Sequence, residues 1–166
     1  MKPSITNSRR IILVGMDFYG DPYQQADGWS AQNAIGQLWE RFNNFYKDKK
    51  ESIRHLASEA GYEVWIDFEG EEDPKNKYIF VGVEVEKLFS PPLELVARIL
   101  PETRDAVFTL EGNEIKSDWL SKILSPWLTD AGLEQSYHYI IEYYDPQRFK
   151  GIDSGDSQLD IYVPIR

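Results

Sequence analysis

Cysteine is absent from this chain, which excludes a disulfide framework, a thiol nucleophile and a thiolate metal site. Histidine is nearly absent too, with only His55 and His138. Neither has a third ligand at metal spacing beside it, so both read as structural or solvated and no metal is expected. Basic residues are in deficit: 18 Lys and Arg face 28 Asp and Glu, a formal charge of −10. Direct nucleic-acid binding needs a basic footprint, and this balance argues against it. No apolar run reaches the length of a membrane span, and the first eight residues lack the apolar stretch of a signal peptide. A cytoplasmic protein is the expectation. Phosphate-cradling glycine loops and the G-x-S-x-G nucleophile turn are also missing, so no cofactor is expected.

What is present is a chain of 166 residues, enough for one domain with a real core. Residues 10–18 (RIILVGMDF) read as a strand ending at the turn-prone Tyr19-Gly20-Asp21-Pro22. Ile35, Leu38, Trp39, Phe42, Phe45 and Tyr46 then repeat at helical spacing, which predicts a helix over 34–47. Strands follow at 62–68 and 78–85, separated by the charged turn 70–76. The second half repeats this order. Strands at 93–100 and 104–111 flank Pro101, and Trp119, Leu120, Ile123, Leu124, Trp127 and Leu128 predict a helix over 117–131. Pro126 lies inside that run and predicts a kink or a break into two short helices. Strands at 138–144 and 159–165 complete the chain. Each half is therefore strand, helix, strand, strand. The fold expected is α+β: a duplicated module, about 9–88 and 89–166, with pseudo-twofold symmetry, an antiparallel sheet, and helices on one side of it.

Alternation sorts the strand residues between faces. Val64, Ile66 and Phe68 point to the helices in the first central strand, which sends Glu63, Trp65 and Asp67 to the opposite, open face. Both faces of 138–144 are apolar or aromatic, and placing the charge away from the helices puts Ile140, Glu142 and Tyr144 on the open face. Tyr78, Phe80 and Tyr162 join them by the same rule. Overlaying Tyr62 on Tyr139 sets Trp65 at the position equivalent to Glu142. Glu142 is the most informative residue of the group. A mid-strand carboxylate is disfavoured by propensity and, if buried, must be paired or neutralised. The expected ligand-binding set is Trp65, Tyr78, Phe80, Glu142, Tyr144 and Tyr162, lining a groove for a flat and cationic small molecule.

Four stretches also resemble a known family: Ile35-Gly36-Gln37-Leu38-Trp39-Glu40-Arg41-Phe42, Tyr78-Ile79-Phe80-Val81-Gly82-Val83-Glu84-Val85, Glu142-Tyr143, and the ending Leu159-Asp160-Ile161-Tyr162-Val163-Pro164-Ile165. Their order and spacing resemble the GyrI-like small-molecule-binding domains, the effector-binding domains of AraC-type and multidrug-sensing regulators. The resemblance implies the duplicated fold, a ligand groove between the halves on the sheet face away from the helices, and an acidic residue at the position of Glu142 that contacts cationic aromatic compounds. It implies a stand-alone domain, with no room for a DNA-binding unit, that senses or sequesters toxic compounds. Some members of the family hydrolyse reactive cyclopropane-containing genotoxins, and in that case Glu142 would activate water with Tyr144 or Tyr162 assisting. A third branch implies a protein partner, such as a DNA-handling enzyme like gyrase.

Overall fold

The computed structural model describes residues 3–166. Eight strands form one antiparallel sheet: β1 (Ser4–Ser8), β2 (Ile11–Gly20), β3 (Leu56–Ile66), β4 (Lys77–Val85), β5 (Val96–Leu100), β6 (Thr103–Glu111), β7 (Tyr139–Tyr144) and β8 (Gln158–Ile165). Their spatial order is β1-β6-β8-β7-β3-β4-β2-β5. Read outward from the central β7–β3 pair, the order is symmetric. One side continues to β4 and β2 and is edged by β5, and the other to β8 and β6 and is edged by β1, so the strand expected at 93–100 in the second module pairs with β2 of the first. This is the α+β duplicated fold that the periodicity predicts.

The sheet also curls until its ends cross. In the spatial order β1 and β2 are six strand spacings apart, about 29 Å if flat. Only Arg9 and Arg10 separate them in the chain, a reach of about 11 Å from Ser8 to Ile11. The register shows how this closes. Ser8 pairs with Thr103 at the end of β1·β6, and Ile11 pairs with Leu100 at the start of β2·β5, one register running through both. β1–β2 and β5–β6 are thus two long bent strands lying against each other.

Helix α1 (Ala34–Lys49) starts at Asn33, whose Oδ1 accepts from the Gly36 amide at 3.0 Å, and ends with Lys47 and Lys49 at the negative end of its dipole. Leu38, Phe42 and Phe45 are its buried residues, and they pack on Ile12, Val14 and Met16 of β2 and Ile79, Val81 and Val83 of β4. In the second half a π-helical turn (Leu120–Leu124) runs into the short α2 (Ser125–Asp130). Where a kink or a break was expected at Pro126, the chain stays helical and takes up the proline with the π-helical turn. With no N–H, Pro126 cannot donate to the carbonyl of Lys122, and the Ser125 amide donates instead to Leu120. Leu124 and Ile115 cover β6 and β8 there.

Each helix therefore covers the outer strands of its own half. The central strands β3 and β7 lie between the helices. On the other face the curled sheet encloses a third core, with Leu13, Tyr62, Val64, Phe80, Tyr139 and Ile141 buried together. Both faces of β3 and β7 are consequently enclosed, and that overturns the face assignment made from alternation. Trp65 packs with the α1 cluster, and Ile140 and Tyr144 with the α2 cluster. Glu63 and Glu142 share that side by register. Tyr78, Phe80 and Tyr162 belong to the opposite face. The overlay needs correcting as well, by two residues. Glu63 pairs directly with Glu142 across β3–β7, so the local twofold relates Glu63 to Glu142 and Trp65 to Tyr144.

A carboxylate pair in an aromatic cavity

Between α1 and the α2 region, over the middle of β3 and β7, lies a cavity of about 690 Å³. Glu63 and Glu142 form its floor, and Trp29, Trp39, Trp65 and Trp119 are among its walls. Both carboxyl groups are deeply buried, with exposures of 3% and 4%. Their hydrogen bonds follow the twofold. Trp65 Nε1 donates to Glu63 Oε2 at 2.7 Å, and Tyr144 Oη donates to Glu142 Oε2 at 2.5 Å. In each strand the donor sits two residues after the acceptor, on the same face. Trp39 adds a second indole to Glu63, Nε1 to Oε1 at 2.6 Å. Gly61 makes this reach possible: a Cβ there would stand 3.1 Å from Trp39 Cη2.

The electrostatics separate the two acids. Burial, then the neighbouring Glu63 charge, push the Glu142 carboxyl well above the ordinary carboxylate range. Burial also raises Glu63, but the Trp65 and Trp39 donors oppose it by stabilising the charged form. Two adjacent buried carboxyls cannot both ionise cheaply, which favours a proton retained by the pair, on the Glu142 side where fewer donors stabilise the charge. Burial and the charge of Glu142 likewise push the Tyr144 hydroxyl well above its usual range.

The loop 21–33 covers the first-half end of the cavity. Asn33, fully buried, pins it: Nδ2 donates to Gly28 O at 2.8 Å and Ala26 O at 3.2 Å. Gly36 lets the loop lie against α1, because a Cβ there would meet Ser30 O at 2.1 Å. The loop delivers Tyr23, with ring centroids 6.3 Å from Trp65, and Trp29, 6.5 Å from Tyr144. Tyr23 is pushed up to about 12 by burial and then by the charges of Glu142 and Glu63. Tyr144 itself stands behind Glu142, edge-on to Trp39 and Phe149 at 5.5 and 4.8 Å.

Of the six residues expected to contact a ligand, the structure brings Trp65 and Glu142 into this cavity and sets Tyr144 directly beside it. Tyr78, Phe80 and Tyr162 do not reach it. Tyr78 donates to Asp17 and accepts from Arg98 on the other face, Phe80 is core, and Tyr162 lines a separate cavity there. Glu63, Trp39, Trp29, Tyr23 and Trp119 are not among the expected ligand contacts, although alternation puts Glu63 on one face with Trp65 and Glu142, and helical spacing puts Trp39 and Trp119 on the helix faces. A signal for Glu63 existed: Glu63-Val64-Trp65 and Glu142-Tyr143-Tyr144 are the same carboxylate-x-aromatic step in the two central strands. Tyr23 and Trp29 come from a loop without periodicity, which gave no such signal.

The model of the GyrI-like small molecule binding domain matches residues 1–166. The chain belongs to this family. The transcriptional regulator BrlR of Pseudomonas aeruginosa is 32% identical over 167 residues, covering 99% of this chain and 56% of BrlR. The chain thus spans little more than half the length of that relative. Among solved structures, SAV2435 bound to tetraphenylphosphonium matches with a TM-score of 0.70 at 14% identity, over 100% of this chain and 94% of the other. The EcmrR C-terminal domain matches at 0.68 and 13%, over 99% and 97%. A hydrolase encoded by lin2189 from Listeria innocua matches at 0.56 and 14%, over 99% and 92%. These likenesses establish the fold. Among the described residues no helix is long and apolar enough to cross a membrane.

Proposed function

We propose that this domain binds flat or multi-ring aromatic cations in the 690 Å³ cavity, and so senses or sequesters toxic compounds of that kind. The observation that carries the reading is the direct cross-strand pairing of the buried Glu63 and Glu142 at the floor of an indole-walled pocket. A desolvated cation beside these carboxyls gains charge pairing and cation–π contact together, roughly 2 kcal/mol or more for the latter. Tetraphenylphosphonium, the ligand of SAV2435, is a cation bearing four aryl rings and has the chemistry this pocket would accept.

The retained proton gives the reading a specific signature. A cation entering next to Glu142 favours its ionised form, so binding expels the proton. Calorimetric titration with tetraphenylphosphonium in two buffers of different ionisation enthalpy should show proton release in the wild type and none in Glu142→Gln. The variant should also bind about 5- to 30-fold more weakly, on the order of 1–2 kcal/mol for one partly desolvated charge contact. The neutral triphenylphosphine oxide should bind both proteins alike. Equal cation affinity in the two proteins would remove Glu142 from the site.

A second reading, hydrolysis of an electrophilic substrate such as a strained cyclopropane, draws on the same pair. Glu142 holds a proton and Tyr144 donates to it at 2.5 Å, which suits Glu142 to protonating a leaving group before it serves as a base for water. Tyr162 takes no part, because it lies on the opposite face. Under this reading Glu142→Gln abolishes turnover and leaves substrate binding in place.

A further inference from the structure

Two rings of the loop 21–33 line the Glu63–Glu142 pocket and yet stay open to solvent: Tyr23 is 40% exposed and Trp29 41%. Aromatic area left uncovered at the edge of a cavity is area that a ligand can bury. The chain holds Tyr23 by few bonds. Its amide donates to Asp21 Oδ1 at 3.0 Å, and the neighbouring Pro22 carbonyl accepts from the Ala34 amide at 3.2 Å. The Tyr23 hydroxyl has no hydrogen-bond partner among the described residues. Trp65, the ring that Tyr23 meets, is the opposite case. It stands on the central strand β3, packs with the α1 cluster, and is locked by its indole donation to Glu63 at 2.7 Å. One wall is fixed and the other is a loop side chain.

The two walls also differ from the other ring pairs of the pocket in their angle. Trp29 and Trp39 meet Tyr144 edge-on, at 74° and 75°. Tyr23 and Trp65 are only 31° from parallel, with centroids 6.3 Å apart. A third ring between two others needs about 7 Å, two van der Waals spacings of about 3.5 Å. The shortfall of about 0.7 Å is small beside the freedom of a loop side chain, and Trp65 need not move. Tyr23 lies in the field of both acids, Glu142 before Glu63, so a cation stacked on its ring is also beside the carboxyl pair.

We infer that Tyr23 and Trp65 form a stacking slot, and that Tyr23 is the residue by which the pocket prefers a flat, fused-ring cation to one whose rings point in several directions. The inference rests on the cation reading of the pocket and adds the shape of the ligand to it. A fused-ring cation in the slot has an aromatic face on each side and its charge beside the carboxyls. A tetrahedral onium ion places at most one of its rings there, and its other rings spread toward Trp29, Trp39 and Trp119. What Tyr23 supplies is its ring face, so phenylalanine can replace it and alanine cannot.

The test compares 10-methylacridinium with tetraphenylphosphonium by calorimetric titration of the full chain. Both are permanent monocations without N–H donors, so the pair differs in shape: one is flat and the other tetrahedral. Tyr23→Ala should lower the ratio of methylacridinium to tetraphenylphosphonium affinity by tenfold or more. Tyr23→Phe should bring that ratio back to within twofold of the wild type. Nuclear Overhauser contacts from bound methylacridinium to the rings of both Tyr23 and Trp65 are expected in the wild type. A merely structural role for Tyr23 would weaken both cations by the same factor, and that result overturns the slot. So would dye contacts to Trp39 and Trp119 with none to Tyr23. The reading of the pocket fails separately, if tetraphenylphosphonium binds the wild type and Glu142→Gln alike. If neither cation binds the wild type, both fall.

Discussion

Glu142 is where the balance of forces in this fold is most exposed. Its carboxyl is raised by burial and by Glu63, so the folded state binds a proton there that the unfolded chain has already lost above the ordinary carboxylate range. Stability contributed by the protonated form is complete at acid pH and falls as pH rises from that range toward the raised value. Glu142→Gln removes this penalty and keeps a donor toward Glu63. The variant should melt higher than the wild type at neutral pH, and the difference should vanish in acid, as followed by thermal denaturation across pH. Ligand affinity runs the other way. For the wild type, cation affinity should increase with pH across the same window, because the ionised pair is the better partner, and Glu142→Gln should lose that slope. Tryptophan fluorescence offers an independent check. Four of the five tryptophans line the pocket, whereas Trp127 packs edge-on to Phe108 at 5.3 Å. Tetraphenylphosphonium should therefore quench Trp127→Phe as strongly as the wild type, and Trp65→Phe should retain part of the quenching, carried by Trp29, Trp39 and Trp119.

The loop 21–33 covers one end of the pocket, and its anchor is one side chain. Asn33 both caps α1 and holds two loop carbonyls, those of Ala26 and Gly28. Asn33→Asp separates these roles. The carboxylate still caps the helix, but the Nδ2 donors are gone and two carbonyls lose their partner, at about 1–3 kcal/mol for each if it stays buried. Faster hydrogen exchange across 21–33 and weaker cation binding are expected, with α1 amides little changed. Asn33→Ala should in addition lose the cap, about 1 kcal/mol more. The second helix shows how far element type was legible. The spacing of Trp119 to Leu128 located a helical, apolar face, and Pro126 marked its fault. A π-helical turn rather than a simple break follows from which carbonyl the Ser125 amide finds, Leu120 here, and that depends on three-dimensional packing rather than on pattern.

At the scale of the whole molecule the crossing of the long strands is what closes the sheet. β1 adds five residue pairs to β6, and Ser8 donates to Asp105. Removing residues 1–8 should lower the melting temperature and disrupt the cavity on the Asp105 side. Cation affinity in the Glu63–Glu142 pocket should stay within about twofold of the full chain, since none of residues 4–8 lines that pocket, which opens on the other face of β3 and β7. Calorimetry with tetraphenylphosphonium on the truncated chain reads both effects. Without β1, β6 becomes an edge with unpaired backbone groups, so self-association of the truncated form is a further expected outcome, visible by sedimentation.

Composition, helical spacing and the repeated order of strands determined by themselves the α+β class, the duplication and the helix over 34–47, because local periodicity encodes those features. They also singled out Glu142 and Trp65, whose residue types are unusual for the strands that carry them. The strand at 4–8 was missed: its exposed, polar residues carry no alternation, and only pairing to β6 makes it a strand. Which face holds the pocket was decided by tertiary structure alone. Alternation separates faces when one is wet, but here helices cover one face and the curl of the sheet buries the other. Val64 and Phe80 consequently look the same in sequence whichever way they point. The two-residue shift that brings Glu63 opposite Glu142 has the same origin: a central strand apolar on both sides leaves its register to the packing of everything around it.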